Sequence, residues 1–295
     1  MKAKLFINHA MDDDVPREFD ERALWAALAL ELLAKSALAR VSPLLIATPD
    51  EDGKNILIAT GLHPGSANFK SIKASTLFKR CAMAFRPFNA SEALLIADNR
   101  NEYVHGAAPY FAPIPEAAWW PRYWTQARIL VEACHEDLHA FVGDSRVPRV
   151  ESLIAQHDRN LKERVEALLE KARRDLTRYL EGKMLGTEIE RWERRRDRSG
   201  HLAHQVHVEC PACGSPDGVL EGDDVLHSET RWEQISESDY DATVTLIVGM
   251  SYFSCDTCHL VLDGFELLGA AGLDDTIEAE GDPEDAWEEP DYGND

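Results

Sequence analysis

Along the first half of the chain, apolar residues recur at helical spacing, and Pro, Gly and small polar residues cut the pattern into segments. The run Ala23-Leu24-Trp25-Ala26-Ala27-Leu28-Ala29-Leu30-Glu31-Leu32-Leu33-Ala34-Lys35 predicts a helix from about Glu18 to Arg40, which Pro43 forbids from extending. Leu44 to Ala47 and Ile56 to Ala59 flank Asp50-Glu51-Asp52-Gly53 and read as a short hairpin or as two apolar loop segments. Ser66 can cap a second helix reaching about Phe85. Asn89, with Glu92 three residues later, resembles a capping box for a third helix, which Gly106 can end. A Pro- and aromatic-rich loop from Ala107 to Pro121 is long enough for a lid or a substrate-facing surface, and a last helix runs from about Arg122 to Val142.

The pattern changes twice beyond this point. From Arg149 to about Arg198 the chain has no Pro and is dense in Leu, Glu, Lys and Arg. Leu153, Leu161, Val165, Leu168, Leu169, Leu176 and Leu180 recur at near-helical spacing, which predicts one long helix or a helical hairpin broken near Gly182 to Gly186. Farther on, Ala242 to Val248 is β-branched and apolar enough for a buried strand, while Asp223-Asp224, Asp239 and Asp241 mark turns or edges. The expected fold is mainly α: a helical domain over 1–145, a helical linker over 146–200, a small β-rich domain over 201–273 and an acidic tail over 274–295. With 11 acidic residues and no Lys or Arg, that tail is expected to be disordered when free.

Composition narrows the function classes. A chain of 295 residues can build two cored domains, and no stretch approaches the ~20 uncharged apolar residues that span a bilayer. Asn8, His9 and three Asp interrupt the N-terminal apolar start before a signal-peptide core could form. The expectation is a cytosolic protein with no membrane partner. A formal net charge of −22 taken as a whole opposes a nucleic-acid partner. The charge is uneven, however: about −3 to Ser145, about +4 from Arg146 to Arg198, about −12 to Leu273 and about −11 in the tail. Phosphate binding depends on local potential, so positive patches in the first two segments remain usable.

Two C-x2-C knuckles, Cys210-Pro211-Ala212-Cys213-Gly214 and Cys255-Asp256-Thr257-Cys258-His259, stand about 40 residues apart beside strand-like sequence. That spacing is typical of a zinc ribbon with tetrahedral thiolate ligation by Cys210, Cys213, Cys255 and Cys258. Four thiolates leave no open coordination position, so the zinc is expected to be structural. A disulfide framework does not suit a cytosolic protein, and a redox motif would not come as a pair. Arg231 is the only Lys or Arg between 201 and 273. The ribbon therefore suits dimer contacts or a protein partner better than RNA, and the acidic tail is a second possible handle for such a partner.

The run Arg100-Asn101-Glu102-Tyr103-Val104-His105 places a guanidinium that can hold a phosphate near an imidazole that can move protons at neutral pH. This run is similar to the Arg-Asn-x-x-x-His signature of the HEPN superfamily, small all-helical domains that include many metal-independent endoribonucleases of toxin–antitoxin and antiviral systems. The resemblance covers roughly residues 15 to 143 and extends to Glu31 and Lys35 and to the order of the helices. It implies a HEPN-like bundle with Arg100, Asn101, His105 and Glu31 as catalytic-site residues and RNA as substrate. It also implies a homodimer in which both motifs converge, and products ending in a 2′,3′-cyclic phosphate and a 5′-hydroxyl. Residues five apart on a regular helix differ by about 140° around its axis, so His105 must act from the helix end.

Other readings compete. Cationic side chains in a last turn also favour the helix dipole without any chemistry, and a HEPN-like scaffold that binds protein or nucleic acid without cleaving it is the alternative function. His135-Glu136-Asp137-Leu138-His139 matches the H-E-x-x-H zinc-protease pattern, with no third ligand singled out among Glu151, Glu163 and Glu166. His201, His204 and His207 suit a solvated linker better than a metal site. Cys81 and Cys134 read as core residues. Trp119, Trp120 and Trp124 could stack on bases but fit packing or a dimer interface better. The Arg191 to Arg198 run could touch phosphates, or could be a solvated helix face.

Overall fold

The computed structural model describes residues 2–63, 70–105, 114–194, 197–236 and 239–282, apart from the side chains of Asn99, Glu102, His105 and Asp239. The anticipated cap at Ser66, residues 107–113 of the anticipated loop and the distal acidic tail lie outside the described residues. The chain is mainly helical with a C-terminal antiparallel β region, and it divides into two compact units, Met1–Asp158 and Arg159–Asp295.

The first unit contains α1 (Lys2–Ala10), α2 (Phe19–Val41), α3 (Lys54–Ala59), α4 (Ala74–Ala84), α5 (Ala90–His105), α6 (Glu116–Ala133), α7 (Leu138–Val142) and the start of α8 (Val147–Leu180). Helix α2 is central and packs against α1, α4, α5 and α6. Its buried positions are mostly alanine with Leu30, Leu33 and Leu38, so neighbouring helices approach closely and the leucines fill the gaps. Helix α1 was not anticipated; its Ala3, Ile7 and Ala10 carry one short apolar stripe onto α2.

Several local expectations are corrected. Leu44 to Ala47 and Ile56 to Ala59 do not form a hairpin. Pro43–Ile46 is a 3-10 turn started by Ser42, and the second segment lies in α3. Buried Asn55 joins them, donating to the carbonyls of Thr48 and Lys70 and accepting from the Lys70 N–H. Asn89 does cap α5, accepting from the Ser91 and Glu92 amides. The reciprocal half of the box is missing: the Asn89 N–H donates to buried Gln126, while Glu92 faces Arg122 at 3.4 Å. The helix expected over 122–142 starts earlier, at Glu116, and is broken, because α6 stops at Ala133 and α7 begins only at Leu138.

Helix α8 contributes to two cores. Val147, Val150 and Ile154 belong to the first. Val165 and Ala172 belong to the second, with Leu161, Leu168, Leu169 and Leu176 packed around them. The expected break falls at Gly182, which takes a left-handed φ of 66°, and α9 (Gly186–Arg194) follows. The second unit then builds two antiparallel sheets. One has the order β1 (His204–Val208), β2 (Gly218–Gly222), β5 (Tyr252–Cys255), β6 (Val261–Asp263). The other has the order β3 (Asp224–Ser236), β4 (Asp239–Gly249), β7 (Thr276–Glu280), and α10 (Phe265–Ala270) lies between β6 and β7 in the chain. Strand β7 corrects the expectation of a wholly disordered tail, since Ile277 and Ala279 alternate onto the core while Glu278 and Glu280 face away.

A buried carboxylate anchors the segment entering β1. Glu221 is fully buried and accepts from the Ser199 hydroxyl and from the Gly200 and Leu202 amides at 2.9–3.1 Å. Glu221→Ala would leave those donors unpaired. It is expected to cost on the order of 3 kcal/mol, read as a lower urea midpoint for the second unit. Next to it, Gly222 is required because a Cβ there would meet the Gly249 carbonyl oxygen at 2.1 Å.

Candidate functional site

Packing of α5 across α2 and α4 brings Arg100 to Glu31 of α2. Arg100 Nη1 donates to Glu31 Oε2 at 2.5 Å, while its Nε and Nη2 both donate to Asn101 Oδ1, at 3.2 and 2.9 Å. The guanidinium is thus held between a carboxylate on α2 and an amide on its own helix. Three of its five N–H donors are engaged and two remain. Lys35, one turn along α2, pairs with Glu31 Oε1 at 2.9 Å.

Beside Arg100 lies a cavity of about 410 Å³ lined by Glu31, Lys73, Ser75, Asp98, Arg100 and Asn101 together with apolar Ala74, Leu94 and Ala97. Lys73 is the N-cap of α4 and supplies no capping side chain, so the first amides of that helix keep their donor capacity next to two cations. Lys73 and Ser75 are functional candidates that the sequence reading missed. They reach Arg100 only because α4 packs against α5, and no local pattern marks them. The structure therefore brings Glu31, Arg100 and Asn101 together. His105 is the last residue of α5, and its side chain lies outside the described part.

The Glu31 carboxyl is pulled two ways. Burial raises it, and the hydrogen bonds and charges of Lys35 and then Arg100 outweigh that and hold it below its ordinary value of 4.5. A depressed carboxyl contributes stability that is fully present above its unfolded value and is lost as pH falls through the lower folded value. Glu31→Gln is accordingly expected to cost about 2 kcal/mol at neutral pH, with the difference from wild type vanishing in strong acid. Melting temperatures of the two proteins from pH 7 to pH 2 would read this, and a difference that stays constant into acid would overturn it.

The second constellation is the sulfur cluster. One knuckle joins β1 to β2 and the other joins β5 to β6, and pairing of β2 with β5 sets them side by side. The Sγ atoms of Cys210, Cys213, Cys255 and Cys258 all lie within 4.8 Å of one another, with Cys210–Cys258 at 3.6 Å and Cys213–Cys255 at 3.8 Å. These distances are too long for disulfides and match the edge of about 3.8 Å that a thiolate tetrahedron around a zinc-sized ion requires. The cluster can hold a metal ion. Without a cation, hydrogen bonds from Cys210 and Cys258 hold the Cys255 thiol low, while the Cys210 and Cys258 thiols are pushed up.

The two knuckles share one backbone plan. Gly214 and His259, each directly after a second cysteine, take left-handed φ values of 71° and 62° and donate their N–H to the carbonyl of the first cysteine. Arg173 of α8 holds the first knuckle from outside, donating to the carbonyls of Ala212 and Pro211 at 2.8 and 3.0 Å. Asp217 bridges the two, accepting from Ser215 and from Thr257.

Other candidates fall away or become structural. His135 sits at a φ of 54° between α6 and α7, so the two histidines of the H-E-x-x-H run do not share a helix. Glu136 pairs with Lys4, and His139 bonds Asp144. The run therefore lacks the single helix that the zinc-protease pattern needs, and among the described residues the four cysteines are the one cluster able to hold a metal. His204 and His207 fall on opposite faces of β1. Trp119, Trp120 and Trp124 are buried in a ring cluster with Tyr123, where no base could stack on them. Cys81 and Cys134 are buried, and burial pushes the Cys81 thiol up to about 12, which makes it a poor nucleophile. Arg198 donates to the His259 carbonyl and so serves the second knuckle. Among the described residues no helix is long and apolar enough to cross a membrane. Compared with protein-family models, curated proteins and solved structures, the chain matches none of them.

Proposed function

We propose that this chain is a metal-independent endoribonuclease of the HEPN type, with zinc held structurally by Cys210, Cys213, Cys255 and Cys258. The observation that carries the reading is the fixed guanidinium of Arg100, oriented by Glu31 and Asn101 beside a cavity that also holds Lys73 and the uncapped start of α4. In this mechanism the two remaining N–H donors of Arg100 bind the scissile phosphate and stabilise the charge that develops on it. Lys73 adds a second positive charge at the same cavity. His105 moves protons as the neighbouring 2′-hydroxyl attacks phosphorus and the 5′-oxygen leaves, giving a 2′,3′-cyclic phosphate and a 5′-hydroxyl. The reading includes a homodimer that combines two motifs, and a role in defence, stress or toxin–antitoxin biology. Zinc bound by four thiolates would order the ribbon and take no part in the cleavage.

The test is RNA cleavage by wild type, Arg100→Ala and His105→Ala, with and without EDTA, while zinc content and fold are tracked. EDTA-resistant cleavage lost in both variants supports the nuclease. A second reading, a silent scaffold that binds protein or nucleic acid, is favoured by one observation: Glu31 and Asn101 already occupy three donors of Arg100. Equal inactivity of all three proteins on several RNAs, with folds intact, moves the assignment to the scaffold.

A further inference from the structure

Among the described residues, strand β3 lies at the edge of its sheet and pairs with β4 on one side only; all thirteen of its residues are exposed, Trp232 at 45% and Ile235 at 65%. A long edge strand offers N–H and C=O groups as a template for another strand, and proteins blunt such edges with charged side chains (lysine above all), proline, bulges or a cover. Strand β3 has neither lysine nor proline. Irregularities at Val225/His227 and Gln234/Ser236 limit its regular geometry to the stretch from His227 to Gln234.

The charge order within that stretch is its own complement. We infer that β3 pairs antiparallel with β3 of a second copy of this chain, about a twofold axis at Thr230. Such an axis stands perpendicular to the sheet and keeps each side chain on its own face, so opposing residues lie equally far on either side of the centre. Centred on Thr230, Arg231 meets Glu229 of the second copy and Glu233 meets His227, each twice by symmetry. Both kinds of pair couple a carboxylate to an N–H donor. Centring on Glu229 sets glutamate against glutamate, and centring on Arg231 sets arginine against arginine. Centring on Trp232 keeps one kind of favourable pair where Thr230 gives two. Arg231 decides the register because it is the only Lys or Arg between 201 and 273. On the opposite face, the exposed ring of Trp232 crosses the seam towards Ser228. A foreign strand has no reason to mirror this order, and a second copy mirrors it by construction.

The test is site-directed crosslinking of the full chain under mild disulfide oxidant. Opposing Cα atoms in an antiparallel pair are about 4.5–5.5 Å apart, within the span of a disulfide. Thr230→Cys is therefore expected to form a 230–230 crosslink, mapped by peptide mass spectrometry, at least tenfold faster than Ser228→Cys forms its own. Adding Arg231→Glu should slow the Thr230→Cys crosslink at least tenfold, and adding Glu229→Arg to that variant should restore it. A dimer formed through the helical unit alone gives no 230–230 product, so this outcome is separable from the nuclease reading. Equal rates at 228 and 230, or no restoration by the charge swap, would overturn the inference. Wild type supplies a check that needs no variant: amide exchange over 227–233 should slow as protein concentration rises, and concentration-independent exchange would overturn the pairing.

Discussion

Cys255→Ser is expected to abolish metal binding and to unfold the ribbon while the helical unit stays folded. Structural zinc in small domains contributes an apparent ~10–16 kcal/mol at neutral pH, more than the total stability of about 5–15 kcal/mol of an ordinary domain. The sulfur cluster also lies in a core separate from that of Met1–Asp158. Serine keeps the size of the side chain and loses the soft, readily ionised sulfur, so loss of metal can be told apart from loss of packing. Elemental analysis should fall from about one zinc per chain to almost none. Hydrogen exchange should lose protection in β2 and β5 and keep it in α2. A variant that retains zinc, or a helical unit that melts along with the ribbon, would count against this account. The same experiment identifies the metal.

Arg100→Ala carries the second large effect, a loss of RNA cleavage of about 10²–10³-fold, the scale on which one preorganised charge-stabilising donor acts. The predicted effect on stability is small, because Glu31 keeps Lys35 as a partner and loses only one of two cations. An activity loss of that size in a protein that still melts within a few degrees of wild type separates catalysis from scaffolding. Arg100→Lys should recover little, because a lysine restores the charge without the planar fork that meets Glu31, Asn101 and a phosphate together. If Arg100→Ala cleaves as well as wild type, the nuclease assignment fails whatever His105 does.

The sequence revealed what is encoded locally. Helix α2 was readable because its apolar face repeats over six turns, and the knuckles because cysteine spacing is itself the signal. Asn89 was recognisable as a cap, but its partner Gln126 lies 37 residues away and tertiary packing supplies it. The break at His135 has no Pro or Gly to announce it, so a literal motif match survived until the backbone removed its helix. Strand β7 was hidden because its composition is acidic and its strand signal consists of only Ile277 and Ala279. Lys73 and Ser75 escaped for the opposite reason, since nothing in their own neighbourhood distinguishes them and only the packing of α4 on α5 gives them a cavity to line.

The grip of Arg173 on the first knuckle limits how this chain can be recombined. A fragment starting at residue 201 would carry all four cysteines yet lack the guanidinium that holds the carbonyls of Pro211 and Ala212. It would also lack Val165 and Ala172, which complete its core. Such a fragment would expose apolar surface that the intact chain covers and would tend to aggregate. The unit that could be moved into another protein begins near Arg159, so gene fusions that preserved the ribbon would have had to take the greater part of α8 with it.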